Sequence, residues 1–345
     1  MRILGIESSC DETAAAVVED GRVILSNVVN TQIDIHKLYG GVVPEVAARS
    51  HIEVVNPVID QALANANLTW NDIDAIAVTY APGLIGSLLI GTLAARTLAV
   101  LKNKPLYPIH HVEAHVYANF LNETAPEFPM LALIVSGGHS QLVLFHNHGD
   151  YELLGQTQDD AIGEAFDKVA KIIGLPYPGG PSIADAAKNG NPHAYPLPKA
   201  KLSGKYDYSF SGLKTAVLRA VQREVGVDFT FPSSGLAARL DDVQQANFAA
   251  SFQQVAIETL VEKTAKAYFD YMPKSVVIAG GVAANQELRR MLSKAIPIPI
   301  NYPPINLCTD NAVMVGALGY YQSKRSQPTD PYNLEVMPSL SMIKR

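Results

Sequence analysis

The stretch 108–121, PIHHVEAHVYANFL, holds three of the chain's nine histidines. His111 and His115 are four residues apart. On a helix that spacing stacks two imidazoles on one face, a turn apart, the arrangement by which helices hold zinc or iron. Pairs at this spacing also occur on ordinary helix surfaces, so a metal site needs a third ligand. Glu113 is not placed to serve, because two residues is about 200° around a helix from either histidine and its side chain faces away. The same geometry argues against a metalloprotease, whose His-Glu-x-x-His motif sets the glutamate directly after the first histidine. Val112 occupies that place here. A third ligand has to come from elsewhere, and NLCTDNAVMV, 306–315, offers Cys308 and Asp310 just ahead of a helix. Asp310 there also suits an N-cap, accepting free helical N–H groups.

Three further turns could bind or act on a ligand. ESSCDET, 7–13, joins two strand-like runs and offers hydroxyls and backbone N–H groups that suit an anion. Its three carboxylates would repel a phosphate, so either a cation is shared or the acids act as bases; a plain solvated turn is the alternative. SGGHS, 136–140, has two glycines that let a ligand approach the backbone and can form a nest for an oxyanion, or simply connect a hairpin. AGGVAANQEL, 279–288, is a strand, a Gly-Gly turn and a helix starting near Asn285, similar to nucleotide-binding turns in general. No Gly-x-Gly-x-x-Gly or Walker-type motif occurs.

These residues need a scaffold. At 345 residues two domains are the natural expectation. Two cysteines are too few for a disulfide framework and fit a reducing cytoplasm. The chain opens on the strand-like run 1–6, without the charged leader of a signal or transit peptide. LIGSLLIGTLAARTLAVL, 84–101, is long and apolar, but Arg96 near its middle and its small residues read as a buried helix of a soluble protein, not a membrane span. A formal net charge of −6 argues against wholesale nucleic-acid binding. Locally, 188–223 carries seven Lys/Arg and a single acid, Asp207, with Tyr195, Tyr206, Tyr208 and Phe210 among them. Basic residues interleaved with aromatics suit an RNA strand; they equally suit a solvated loop and helix face.

Element patterns repeat. RILGI, a polar turn and AAAVVED form a hairpin that turns again at Asp20-Gly21 into RVILSNVV. A helix at about 44–66, a buried strand in DIDAIAVTYAPG and the apolar helix follow. Around 130 the plan restarts with strand, glycine turn and strand. The helix in DDAIGEAFDKVAKIIG places Ile162, Ala165, Phe166, Val169 and Ile173 on one stripe and stops at Gly174. A long helix, a buried strand ending at Gly280-Gly281, and a last helix complete it. The reading is a duplicated α/β domain with a central cleft.

Taken together, GIESSCDETAAAVV, GGVVPEVAARSHI, APGLIGSLLIG, HHVEAHVYANFL, IVSGGHSQLV, DDAIGEAFDKVAKIIGLPYPGGPSI, YSFSGLKTAV, AGGVAANQELR and LCTDNAVMVGALGY closely resemble one family across roughly 3–320. It is the tRNA N6-adenosine threonylcarbamoyltransferase family (TsaD, also Gcp), in its bacterial branch. The resemblance implies an α/β, two-lobed actin-like and sugar-kinase-like fold. The lobes would be 1–129, completed by the helix at 311–325, and 130–310, with 326–345 a peripheral tail. It implies transfer of a threonylcarbamoyl group from threonylcarbamoyl-AMP to N6 of adenosine 37, just 3′ of the anticodon, in tRNAs reading codons that begin with adenine. It implies one divalent metal ion, Fe(II) or zinc, on His111, His115 and Asp310. Ile134, Val135, Ser136, Gly137, Gly138, Asp167, Gly180 and Asn285 match positions that hold the adenylate. Asp11 and Glu12 are candidates for proton transfer or for placing the amine. Lys199, Lys201, Lys205 and Lys214 are candidate tRNA contacts. Implied partners are TsaB-like and TsaE-like subunits and a separate synthase that makes the adenylate, with no membrane. One departure stands out: where some relatives have a carboxylate after the Gly-Gly-Pro turn, this chain has Ala184, with Asp185 one residue on. The rival readings are a small-molecule kinase or another carbamoyltransferase of the same fold, a non-catalytic scaffold, and the disfavoured metalloprotease.

Overall fold

The computed structural model describes residues 1–342. By backbone proximity the chain divides into two compact units, one of Met1–Phe128, Phe145–Glu152 and Asn301 onward, the other of Pro129–Leu144 and Leu153–Ile300. The stretch 301–310, read from the sequence with the second half, therefore groups with the first.

The first unit is built on a five-stranded sheet of β1 (Arg2–Glu7), β2 (Glu12–Glu19), β3 (Val23–Thr31), β4 (Ala75–Ala81) and β5 (Leu106–His110), in the order β3-β2-β1-β4-β5. β1 is central because its run of Ile3, Leu4 and Ile6 is apolar on both faces. It pairs antiparallel with β2 and parallel with β4. The β2–β3 turn has Asp20 and Gly21 both at positive φ, as the Asp-Gly pair predicts. Helices α1 (Ile33–Lys37), α2 (Pro44–Asn65), α3 (Ile85–Lys102) and α4 (His111–Tyr117) follow. Val55, Ile59 and Ala62 of α2 and Ala95 and Ala99 of α3 share a core with Leu4, Ile6 and Val78.

The second unit holds β6 (Met130–Val135), β9 (Ser275–Ala279), residues 140–144 of β7 (Ser140–Asn147), 153–156 of β8 (Asp150–Gln156) and Ile300 of β10 (Ile300–Asn301), strands of a sheet in the order β10-β9-β6-β7-β8. Its helices are α5 (Ile162–Ile173), α6 (Gly179–Ala186), α7 (Ser211–Glu224), α8 (Asp242–Tyr271) and α9 (Gln286–Ala295). The α5 stripe is buried as its periodicity predicts, and Gly174 ends the helix at φ +84°. A capping box between Asp241 and Gln244 starts α8.

The last helix, α10 (Ala312–Ser323), lies on β1 in the first unit. The approach is so close that a Cβ on Gly5 would stand 2.3 Å from the Ala312 carbonyl oxygen, so only glycine fits there. Asn311, not Asp310, caps α10 by accepting from the Met314 N–H at 3.1 Å.

Two sequence expectations change. The apolar helix α3 is long and apolar enough to cross a membrane by length and composition. It is not wholly buried as read: Leu88, Ala95 and Ala99 face the core, whereas Ile85, Leu89, Leu93 and Leu101 are exposed. Of the tail 326–345, read as peripheral, residues 326–342 are fastened to the first unit, and 343–345 lie outside the described residues. Thr329 bridges Leu106, the Met337 N–H donates to the Tyr80 carbonyl, the Gly83 N–H donates to the Pro338 carbonyl, and Leu334 and Met342 are buried.

Candidate active site

Helix α4 is short and entirely buried. It leaves β5 directly, so the strand end fixes its first turn. His110 supplies the N-cap, its Nδ1 accepting from the Glu113 N–H at 3.4 Å, and its Nε2 lies 3.2 Å from the Leu340 carbonyl oxygen. His111 and His115 follow on one face with ring centroids 4.7 Å apart. Because Asn311 takes the capping role, the Asp310 carboxylate is directed at this pair. Its Oδ1 is 3.2 Å from His115 Nε2 and 3.5 Å from His111 Nε2. One ligand atom from each of the three lies within 4.8 Å of the others, so the group could hold a metal ion.

The chemistry of the donor set fits that use. Neither buried ring nitrogen of His115 makes a hydrogen bond, and Nε2 faces only the Asp310 carboxylate. Such orphaned groups are costly unless something binds them. His111 is oriented from behind: its Nδ1 is 3.1 Å from Glu7 Oε2 and 3.1 Å from Ser9 Oγ. Donation from Nδ1 to the carboxylate leaves Nε2 as the ring atom facing Asp310, the arrangement by which a carboxylate sets a metal-binding histidine. Glu7 is fully buried and also accepts from the Ser9 N–H at 2.5 Å and the Thr79 hydroxyl at 2.6 Å. Burial pushes its carboxyl up, but the His111 charge and hydrogen bond outweigh this and hold it below the usual range. Burial alone would lower His111; the charges of Asp310 and Glu7 raise it instead to about 9.

Asp11 and Glu12 stand on the turn between β1 and β2. Asp11 is nearly buried, and its carbonyl accepts from the Gln32 N–H at 3.1 Å. The Thr31 hydroxyl donates to Glu12 at 3.3 Å. Burial, then the charges of Asp310 and Asp11, push the Glu12 carboxyl up to about 10. Burial and the same carboxylates push the Cys10 thiol well above its ordinary value, so it is an unreactive neighbour.

The remaining candidates lie in the second unit, where Ile134 and Val135 are buried strand residues of β6 that offer only backbone. In the turn 136–139 the Ser136 N–H is already used, donating to the His139 carbonyl at 2.8 Å. The Ser136 and Gly137 carbonyls accept from the Gly163 and Glu164 N–H groups at 3.2 Å, and the Ser140 hydroxyl accepts from Ile162 N–H at 2.9 Å. The first turn of α5 thus holds the glycine turn in place. A Cβ added at Gly137, Gly138, Gly180 or Gly281 would meet nothing within 4 Å, so these glycines front open space. Asp167 Oδ1 accepts from the Gly179 N–H at 2.7 Å, tying α5 to α6 beside Gly180. Asn285 caps α9 through the Leu288 N–H and donates to Gln253 at 2.9 Å. Asp185 is exposed and paired with Lys188 at 2.8 Å.

Three of the four lysines are paired. Lys199 meets Glu258 at 2.8 Å and also Glu262, Lys205 meets Asp270 at 2.9 Å, and Lys214 meets Asp160 at 3.0 Å. Lys201 is exposed and forms no ion pair among the described residues. Glu7 and Ser9 are the residues sequence reasoning left without a role. Glu7 carried a signal, an acid closing an otherwise apolar central strand, but its partner is 104 positions away.

Against known proteins, residues 23–317 match the family model described as TsaD, tRNA N6-adenosine threonylcarbamoyltransferase. The chain is 50% identical to the tRNA N6-adenosine threonylcarbamoyltransferase of Thermomicrobium roseum, over 100% of this chain and 98% of that one. It is 52% identical to the enzyme of the same description from Symbiobacterium thermophilum, over 99% and 96%. Among solved structures, full-length HypF in its phosphate- and nucleotide-bound form aligns with TM-score 0.58 at 12% identity, over 95% of this chain and 47% of that one. Component A of (R)-2-hydroxyglutaryl-CoA dehydratase from Acidaminococcus fermentans aligns with TM-score 0.51 at 15% identity, over 94% and 100%. These likenesses bear out the α/β fold of the actin-like and sugar-kinase-like class, and the family match does not favour the kinase, scaffold or metalloprotease readings. The chain belongs to the tRNA N6-adenosine threonylcarbamoyltransferase family, transferases that place a threonylcarbamoyl group on N6 of an adenosine in tRNA.

Proposed function

We propose that His111, His115 and Asp310 hold one divalent ion, Fe(II) or zinc, and that this site serves the transfer from threonylcarbamoyl-AMP to adenosine 37. The observation that carries this is the convergence of three donor atoms within 4.8 Å of one another, with neither buried ring nitrogen of His115 making a hydrogen bond. Two histidines and a carboxylate suit either metal. When bound, the ion supplies a Lewis acid for the threonylcarbamoyl oxygens.

The chain's own groups do the rest. As the bond from N6 to the carbamoyl carbon forms, the bond from that carbon to the phosphate oxygen breaks and AMP leaves. The N6 proton must go to a base, because the amine lone pair is delocalised into adenine and the amine is weak until it is lost. On one pinned turn, Asp11 takes that proton and Glu12, whose carboxyl keeps its own proton at neutral pH, places the amine. For the donor, the Gly137 and Gly138 amides offer an anion nest, and the open face of Gly180 gives the nucleoside room. Asp167 accepts from ribose hydroxyls, Asn285 supports the second glycine turn, and Ile134, Val135 and Ser136 carry the strand and turn that place the glycine amides.

Lys199, Lys201, Lys205 and Lys214 contact tRNA phosphates. Lys201 is available as it stands; the other three are in partly exposed ion pairs, which are worth only about 0–1 kcal/mol and can exchange for phosphate. A net charge of −6 leaves part of the tRNA to TsaB-like and TsaE-like subunits, with a separate synthase supplying the adenylate. Cys10 and Cys308 are free thiols, in keeping with a cytoplasmic enzyme. The two units would be the two lobes of the actin-like plan.

The test is incorporation of labelled threonine into tRNA by the wild type and by a folded His111→Ala, His115→Ala variant, with partners, synthase, ATP and bicarbonate supplied and metal content measured. Loss of both metal and incorporation in the variant supports the reading. Equal incorporation removes the trio from the reaction.

A further inference from the structure

His51 lies in the motif GGVVPEVAARSHI and has so far had no part in the chemistry. It is fully buried on α2. Its Nε2 is 2.9 Å from the Cys10 carbonyl oxygen, and its Nδ1 is 2.7 Å from the Thr13 hydroxyl. A carbonyl can only accept, so Nε2 carries the proton and Nδ1 accepts from Thr13 in the neutral ring. Burial keeps the ring below the ordinary imidazole range, against the Cys10 hydrogen bond and the charges of Glu7 and Asp11. Cys10 and Thr13 are the residues on either side of Asp11 and Glu12. One rigid ring therefore grips both ends of the dipeptide that carries the candidate acids.

The surrounding contacts complete the grip. The Ser87 hydroxyl gives the Cys10 carbonyl a second hydrogen bond at 3.0 Å. The Leu84 N–H donates to the Ser9 carbonyl at 2.8 Å, and the Gln32 N–H donates to the Asp11 carbonyl at 3.1 Å. Of these, only His51 spans the dipeptide from end to end with a side chain.

We infer that His51 is a positioning residue for the transfer, setting the orientation of Asp11 and Glu12 by bracketing them at Cys10 and Thr13. This rests on the reading that those acids act on the N6 amine. Groups that act on a reacting atom lose about a hundredfold in rate when displaced by an ångström. His51→Leu keeps the apolar volume and removes both bonds. His51→Gln keeps one donor and one acceptor at the tip of the side chain. Thr13→Val removes the Nδ1 partner alone.

The experiment is single-turnover transfer to tRNA by the metal-loaded protein with its partner subunits, with adenylate concentration varied and metal content measured. His51→Leu should lower the rate constant about a hundredfold, with adenylate KM and metal content as in the wild type. His51→Gln should recover most of that loss. If the leucine variant does not fold, Thr13→Val carries the test and must lower the rate constant with KM unchanged. Wild-type rates in the folded variants, or a loss that falls on KM or metal content, would overturn the assignment. Asp11→Asn and Glu12→Gln are run alongside. Slow acid variants with a fast His51→Leu defeat the His51 inference alone, whereas fast acid variants defeat the reading beneath it.

Discussion

The turns 7–13 and 136–140 occupy the same place in their respective sheets, after the central strands β1 and β6, yet they are built in opposite ways. The first is rich in acids and closed. Glu7 is buried against His111, Asp11 and Glu12 are bracketed by His51, and Ser87 and Gln32 hold the backbone. The second is rich in glycine and open, with Gly137 and Gly138 fronting space and the Ser136 and Gly137 carbonyls tied to the first turn of α5. A closed acidic turn stores fixed charge and suits a cation and a proton. An open glycine turn offers backbone N–H groups to an anion of some size. The duplicated plan thus supplies one strand–turn–strand position twice, and side-chain chemistry divides the labour.

Substitutions should sort along that line. The largest effect is expected at the trio. His115→Ala removes a ligand atom and should bring both bound metal and transfer below detection, as read by metal analysis and threonine incorporation. Glu7→Gln leaves the trio intact but weakens the acceptor behind His111; metal affinity should fall about 10–100-fold in chelator competition. Gly138→Val fills open space without a clash, so the fold and metal content should be unchanged while KM for the adenylate rises about tenfold or more, a loss of roughly 1.4 kcal/mol or more in binding. Equal damage to metal binding from Gly138→Val would break the division.

The smallest effect is one of pH. In the folded state the Glu12 carboxyl is pushed up to about 10 from its ordinary value of 4.5. Between those values the folded protein holds a proton that the unfolded chain has lost, so stability is fully present below about 4.5 and drains as pH rises toward 10. In metal-free protein, Glu12→Gln, which mimics the protonated form, should flatten that decline in thermal melts. Added metal should shrink the difference, because a cation on Asp310 offsets one of the charges that raise Glu12. No such slope is expected from substitutions in the glycine turn.

Much of this was legible in the sequence, for physical reasons. The periodicity of α5, the Asp20-Gly21 turn and the apolar runs of β1 and β4 encode local structure, and each forms where expected. The His111–His115 pair was legible because helix geometry alone puts the two on one face. Asp310 was ambiguous because an acid ahead of a helix is as good a cap as a ligand; the choice fell to Asn311, one residue on, which only the folded backbone reveals. Glu7 and His51 were illegible as partners. Their contacts, to His111 and to Cys10 and Thr13, join elements distant in sequence, and no local pattern encodes them. The contacts of 326–342 leave little trace in the sequence because several are backbone hydrogen bonds, which side-chain periodicity does not encode. Lys199, Lys205 and Lys214 looked like an unopposed basic stretch because their acids, Glu258, Glu262, Asp270 and Asp160, lie outside 188–223.

The most direct test of the central claim is diffraction from metal-loaded crystals of this chain at the absorption edge of the bound metal. One anomalous peak per chain is expected, within coordination distance of His111 Nε2, His115 Nε2 and an Asp310 oxygen, and absent from the His111→Ala, His115→Ala variant. A peak held instead by Asp11 and Glu12, or one that persists in the variant, would contradict the claim.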